Sequence, residues 1–299
     1  MFIITYKKVF VFISLALVAI SVGAMLFFGL PLGIEFKGGA LTEVTYTGSR
    51  PAVETVQDIL SKQSIGTVHV QPIGEDGYVI KTRALSESER QTVLQSLTID
   101  KASPAQEKNF TSIGPSVGRE LARKAVISIV LVALGIVFFI AYAFRKVTRP
   151  VSSWKYGIIA IMTLLHDVVI AVGVFAVLAH VYGIEIDTLF VVAVLTILGL
   201  SVSDTIVVFD RIRENVREGT YKTFTETVGR SIEQAFTRSI NTSVTVILAL
   251  LALFFFGPAS TKVFALTLTA GMFFGTYSSI FLASPLLVYA EQLQGNKKS

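Results

Sequence analysis

Thr188-LFVVAVLTILGLSVSDTIVV-Phe209 is a run of apolar and small side chains carrying one charge, Asp204. It reaches the ~20 residues that a helix needs to cross hydrocarbon. A helix is the expected form, because lipid offers open backbone no water to bond. An Asp at the centre of such a helix costs about 2.5 to 3.5 kcal/mol, whereas an interhelical hydrogen bond returns only ~0.6 kcal/mol on average. Stability is therefore a poor reason to keep Asp204 there, and function is the better one.

Working outward, five more apolar stretches are read as spans: Val9 to Leu30, Ala125 to Phe144, Tyr156 to Ala179, Ser239 to Phe256 and Val263 to Tyr289. Of the 299 residues, 52% are hydrophobic and 16% charged, too apolar for a water-exposed monomer. The first run exceeds the ~7 to 15 residues of a secretory h-region, and no small-x-small cleavage site precedes Pro31, so it is expected to be a retained anchor. There is no Cys, which excludes disulfides and thiolate metal sites.

The net charge of +5 is read as topology, not as nucleic-acid binding. Lys7 and Lys8, the group Arg145, Lys146, Arg149 and Lys155, the segment with Arg211, Arg213, Arg217, Lys222 and Arg230, and finally Lys297 and Lys298 all fall on one side of a six-span chain. Val181 to Asp187, on the other side, has no basic residue. The positive-inside rule then places both termini in the cytoplasm and sends residues 31–118 across the membrane.

That segment has soluble character. Leu41 to Thr47, Thr67 to Pro72, Tyr78 to Thr82 and, more weakly, Asn109 to Ile113 read as strands. Val53, Val56 and Leu60 mark one helix face, Asp76-Gly77 a hairpin turn, and Ser86 with Glu89 a capping box opening a helix through Val93, Leu94 and Leu97. The order βαββαβ is that of a ferredoxin-like α+β fold, which implies no activity by itself. The expected architecture is a membrane all-α bundle of six transmembrane helices with an inserted α+β ferredoxin-like periplasmic domain. Its parts are residues 1–30 (first helix), 31–118 (periplasmic domain) and 119–299 (five helices with cytoplasmic loops and tail). His69 has no partner at metal-site spacing and is expected to be a structural or surface residue, not a ligand; no metal or cofactor is expected.

Four ionisable residues fall within or beside the spans: His166, Asp167, Asp204 and Arg238. Ser201 and Thr205 accompany Asp204. Arg238 is expected to open the fifth span, where Asn241, Thr242 and Thr245 follow at spacings that make one polar stripe. Adjacent stripes should face each other, so a long Arg side chain is expected to reach Asp204. A desolvated carboxyl resists ionisation and a guanidinium favours the carboxylate, so a group between those pulls is a switch. The plainer alternative is a static buried pair that sets helix register. His166 is expected to serve helix packing, and a proton role for Asp167 stays open. Gly271-MFF-Gly275 is a GxxxG pattern assigned to packing alone.

Several segments together resemble the SecD/SecF family of the bacterial Sec protein-export machinery, of the resistance-nodulation-division superfamily. They are Gly33-IEFKG-Gly39, Ser112-IGPSVGRE-Leu121, His166-Asp167, Ser203-DTIVVFDRIRE-Asn215 and Arg238-SINT-Ser243. Glu35 departs from the family's usual Asp, a conservative change. The resemblance implies a non-enzymatic subunit in the bacterial inner membrane, driven by the proton-motive force, that completes preprotein translocation at the periplasmic side. It also implies a heterodimer with SecD and association with SecYEG, SecA and YidC. Asp204, Arg238, Asn241 and Asp167 would form the proton pathway, with a further carboxylate from SecD.

Three alternatives compete. An intramembrane aspartyl protease is disfavoured because His166-Asp167 and Ser201-VS-Asp204 lack that class's Tyr-Asp and Gly-x-Gly-Asp pairing. A proton-coupled small-molecule exporter of the resistance-nodulation-division class would carry two such six-span units and larger outer domains. The third is a non-conducting scaffold of the translocase.

Overall fold

The computed structural model describes residues 1–99, 104–145 and 151–295. The expected basic positions Lys146, Arg149, Lys297 and Lys298 lie outside them. In chain order the elements are α1 (Phe2–Thr5), α2 (Lys7–Phe28), α3 (Ile34–Lys37), β1 (Gly39–Tyr46), α4 (Val53–Ser61), β2 (His69–Ile73), β3 (Gly77–Thr82), α5 (Glu87–Leu97), β4 (Ala105–Ile113), α6 (Pro115–Ala143), α7 (Ser153–Tyr182), α8 (Thr188–Glu218), α9 (Phe224–Phe256), α10 (Ala259–Ser278), a π-helical turn (Ser279–Ala283) and α11 (Ser284–Gly295). They form two compact units, one of Leu32–Val126 and one of Met1–Pro31 with Ile127–Ser299.

The smaller unit is a four-stranded antiparallel sheet in the order β2-β3-β1-β4. Strict alternation in β1 buries Ala40, Thr42, Val44 and Tyr46 on one face. Val56 and Leu60 of α4, and Val93 and Leu97 of α5, complete that core with Tyr78 and Ile80 of β3. These helical pairs are spaced i,i+4, which puts each pair on one face. Ser86 and Glu89 form the expected capping box. Arg83 and Ser86 hold the Glu89 carboxyl down at about 2. Its favourable contribution is therefore present above the ordinary glutamate range and is lost as the pH falls toward about 2. Arg90 binds both Glu87 and Glu107, tying α5 to β4.

One turn differs from expectation. Gly77 already pairs with Ile73, so the β2–β3 hairpin closes through Gly74, Glu75 and Asp76. The residue with positive φ is Gly74, at 59°. His69 is exposed, the second of its two expected placements.

Two of the quoted sequence segments meet backbone to backbone in this unit. Gly38 has φ 82°, and a Cβ there would lie 2.7 Å from Pro115 Cα. A Cβ on Gly118 would lie 2.7 Å from the Gly38 backbone nitrogen. Pro115 opens α6, where its missing N–H is no loss. Gly38→Ala is expected to destabilise the protein by about 2 kcal/mol or more, since positive φ and overpacking act together. Thermal unfolding in detergent checks this, and an unchanged melting temperature would refute it.

In the larger unit, α7, α8 and the last span (α10, π-turn and α11) contribute much of the buried core. Among the described residues, six helices are long and apolar enough to cross a membrane. Helix α2 packs on α7 at Gly173, where a Cβ would sit 2.4 Å from Ser21 Cβ. The GxxxG pair seats α10 on α8: Gly271 lies against Ile197 and Gly275 against Ser201. Lys155 Nζ donates to the Ala290 carbonyl (2.7 Å) and to Gln294, capping the end of α11.

Several span edges differ from the hydropathy reading. Helix α8 continues past Phe209 to Glu218, and α9 begins at Phe224, so most of the expected loop between them is helical. Arg238 therefore lies inside α9 and does not open it. The last span is broken by its π-turn, a feature that hydropathy does not register.

Candidate functional site

Asp167 is at the centre of the bundle, with its side chain 0% exposed. His166 Nδ1 lies 2.8 Å from its Oδ1, and Ser201 of α8 donates to its Oδ2. Ser278 Oγ, at the end of α10, lies 2.8 Å from the same Oδ2. Both carboxyl oxygens are thus held by hydrogen bonds with side chains from three helices. His166 Nε2 is buried, with no hydrogen-bond partner among the described residues.

Asp204, on α8, is half-buried. The hydroxyls of Ser239 on α9 and Thr276 on α10 flank its carboxyl group. Even so, neither Asp204 Oδ2 nor Ser239 Oγ has a hydrogen-bond partner among the described residues. Thr276 Oγ1 bonds Ser243 Oγ, which also donates to the Ser239 carbonyl at 2.8 Å. Thr205 bonds Ser279 at 2.8 Å, in the first residue of the π-turn. Ser201 and Thr205, expected beside Asp204, instead serve Asp167 and the π-turn. Such turns recur at functional sites. Here it follows directly on Thr276 and Ser278, the α10 residues beside the two carboxyl groups.

The stripe expected to face Asp204 points elsewhere. Arg238, Asn241, Thr242 and Thr245 are all exposed. Among the described residues no ion pair joins Arg238 to Asp204. Thr242 and Thr245 donate back to the carbonyls of Arg238 and Asn241. The face that packs inward carries Val228, Ile232, Ala235, Ser239 and Ser243. Successive residues on a helix point about 100° apart, so Arg238 and Ser239 cannot share a face. Sequence reasoning missed Ser239, Ser243, Thr276 and Ser278. The available signal was the i,i+4 register of Ser239 and Ser243 with the apolar positions of α9.

No cluster of His, Cys, Asp and Glu suited to a metal occurs among the described residues. The acidic groups in the bundle are surrounded by hydroxyls, an environment for proton exchange or for fixing helices.

Among the described residues, six apolar helices around the buried Asp167 and the half-buried Asp204 define a multi-pass membrane protein. Residues 93–293 match the model of the protein export membrane protein SecD/SecF C-terminal region, and residues 23–49 that of the SecD/SecF GG motif. The chain belongs to the SecD/SecF family. It is 42% identical to the protein translocase subunit SecF of Thermobaculum terrenum, over 96% of this chain and 92% of that one. It is 32% identical to SecDF of Bacillus subtilis, over 94% of this chain and 37% of that protein. The crystal structure of SecDF from Thermus thermophilus, described as a translocon-associated membrane protein, superposes with a TM-score of 0.80 at 31% identity. That match covers 96% of this chain and 38% of the SecDF chain, so the chain spans about two fifths of that protein.

Proposed function

We propose that this chain is an auxiliary subunit of Sec-dependent protein export that works with SecD and uses the proton-motive force to complete preprotein translocation. The observation that carries this reading is Asp204, whose Oδ2 is buried in a bundle of apolar helices without a partner. A proton can be taken up at that oxygen at low structural cost, because no fixed donor has to be displaced from it. One elementary charge moved through 100 mV releases about 2.3 kcal/mol, enough to bias a two-state bundle roughly fiftyfold.

The exposed polar stripe Arg238, Asn241, Thr242 and Thr245 supports a partner chain, since polar side chains in spans normally face protein or water. SecD is the partner proposed, and relatives in which both are named as one SecDF protein support it. Asp204 is assigned as the exchanging group, Arg238 and Asn241 as the partner-facing part of the pathway, and Asp167 as its buried end. SecYEG, SecA and YidC are proposed as the surrounding machinery, and no enzymatic activity is proposed. The basic residues on one side of the spans support cytoplasmic termini in the inner membrane. The element order and the strand order β2-β3-β1-β4 support a ferredoxin-like, periplasmic unit.

Translocation into membrane vesicles that contain SecYEG, SecA and SecD, with or without this chain, tests the reading. A potential-dependent increment in preprotein transport is expected only when the chain is present. Equal increments in both preparations would reject it.

A further inference from the structure

The exposed Arg238 stripe leaves the immediate surroundings of Asp204 to hydroxyl groups. Ser239 is 1% exposed, lies on the inward face of α9, and has an Oγ with no hydrogen-bond partner among the described residues. The neighbouring Ser243 and Thr276 hydroxyls are engaged with each other, so Ser239 is the free rotor of the group. A hydroxyl both donates and accepts, whereas a guanidinium only donates. A hydroxyl beside a carboxyl group can therefore serve either protonation state by turning its O–H.

We propose that Ser239 is a positioning residue for Asp204, donating to the carboxylate and, after rotation about its Cβ–Oγ bond, accepting from the carboxylic acid. The inference rests on the reading of Asp204 as the proton-exchanging group. It explains how that group changes state inside the bundle without a large rearrangement of charged side chains. The other ionisable groups of the surrounding helices are engaged or turned away. On α7, His166 and Asp167 bond each other. Arg238 on α9 is exposed, and Tyr277 on α10 donates to the Phe10 carbonyl at 3.2 Å.

The test is the pH profile of potential-driven export by the full-length chain with its SecD partner, for wild type, Ser239→Ala, Ser239→Cys and Ser239→Thr. A hydrogen bond to the carboxylate is roughly twice as strong as one to the neutral acid, so losing the hydroxyl disfavours the ionised form, and the Ala and Cys profiles are expected to shift to higher pH by up to about one unit. The Thr variant keeps the hydroxyl and is expected to restore the wild-type profile. Ala and Cys profiles that superpose on wild type overturn the inference, as does a pH-independent loss with a lowered melting temperature. Asp204→Asn, measured alongside, separates the two levels. If it retains the potential-driven increment, the proposed function falls and this inference with it. If it abolishes the increment while the Ser239 profiles stay put, only this inference falls.

Discussion

Asp204→Asn is expected to abolish the potential-driven part of export, leaving transport at the level seen with an uncoupler. Asn matches Asp in size and hydrogen-bonding reach but takes up no proton, so the change removes the exchange and little else. Asp204 has no ion pair among the described residues and one carboxyl oxygen without a partner, so the substitution breaks no fixed interaction at that atom. Insertion, melting temperature and co-purification with SecD are therefore expected to stay at wild-type values. The lost increment corresponds to the roughly fiftyfold bias that one charge gains across 100 mV. A scaffold makes the opposite prediction: export intact whenever assembly is intact. Export measured with and without membrane potential, beside the yield of co-purified SecD, decides between them. A normal potential-dependent increment at normal expression would sink the motor reading.

Asp167→Ala is expected to act first on stability. Its carboxyl group makes three hydrogen bonds, with His166, Ser201 and Ser278, on three different helices. Intramembrane hydrogen bonds contribute ~0.6 kcal/mol on average and up to ~1.7, so losing three costs roughly 2 to 5 kcal/mol. The cavity adds to that cost, because His166 is itself buried and its other nitrogen already lacks a partner. Asp167→Asn keeps the shape and an acceptor oxygen for the serines, and is expected to recover most of the loss. Thermal unfolding in detergent gives the comparison. An Ala variant that melts with wild type would show that the three bonds do not hold the bundle together. The two acidic residues thus differ in kind: both carboxyl oxygens of Asp167 are tied to neighbours, whereas Oδ2 of Asp204 has no partner among the described residues.

The six spans, the inserted α+β unit and the capping box at Ser86 were all legible in the sequence, because each depends on local quantities. A helix crosses lipid if it is apolar for long enough, and a strand declares itself by alternation. The edges were less legible. Continuation of α8 to Glu218 and the start of α9 at Phe224 place charged residues on helix that hydropathy reads as loop. The β2–β3 turn was misplaced because both Gly74 and Gly77 tolerate the turn, and only strand register shows that Gly74 takes the positive φ.

The candidate site divides the same way. Composition and spacing alone mark Asp204, Asp167 and Arg238, since a charge in a long apolar run is costly wherever the run folds. Which face of α9 meets Asp204 is a different matter, because α9 carries two polar stripes, Arg238 with Asn241 and Ser239 with Ser243, turned about 100° from each other. Either could face inward on periodicity grounds, and only packing against α8 and α10 selects the serines. The approach of Gly38 to Pro115 and Gly118, and the gathering of three helices on Asp167, are likewise contacts between residues far apart in the chain. Local sequence determines what a segment can be, while the shapes of its neighbours determine which of its faces is used.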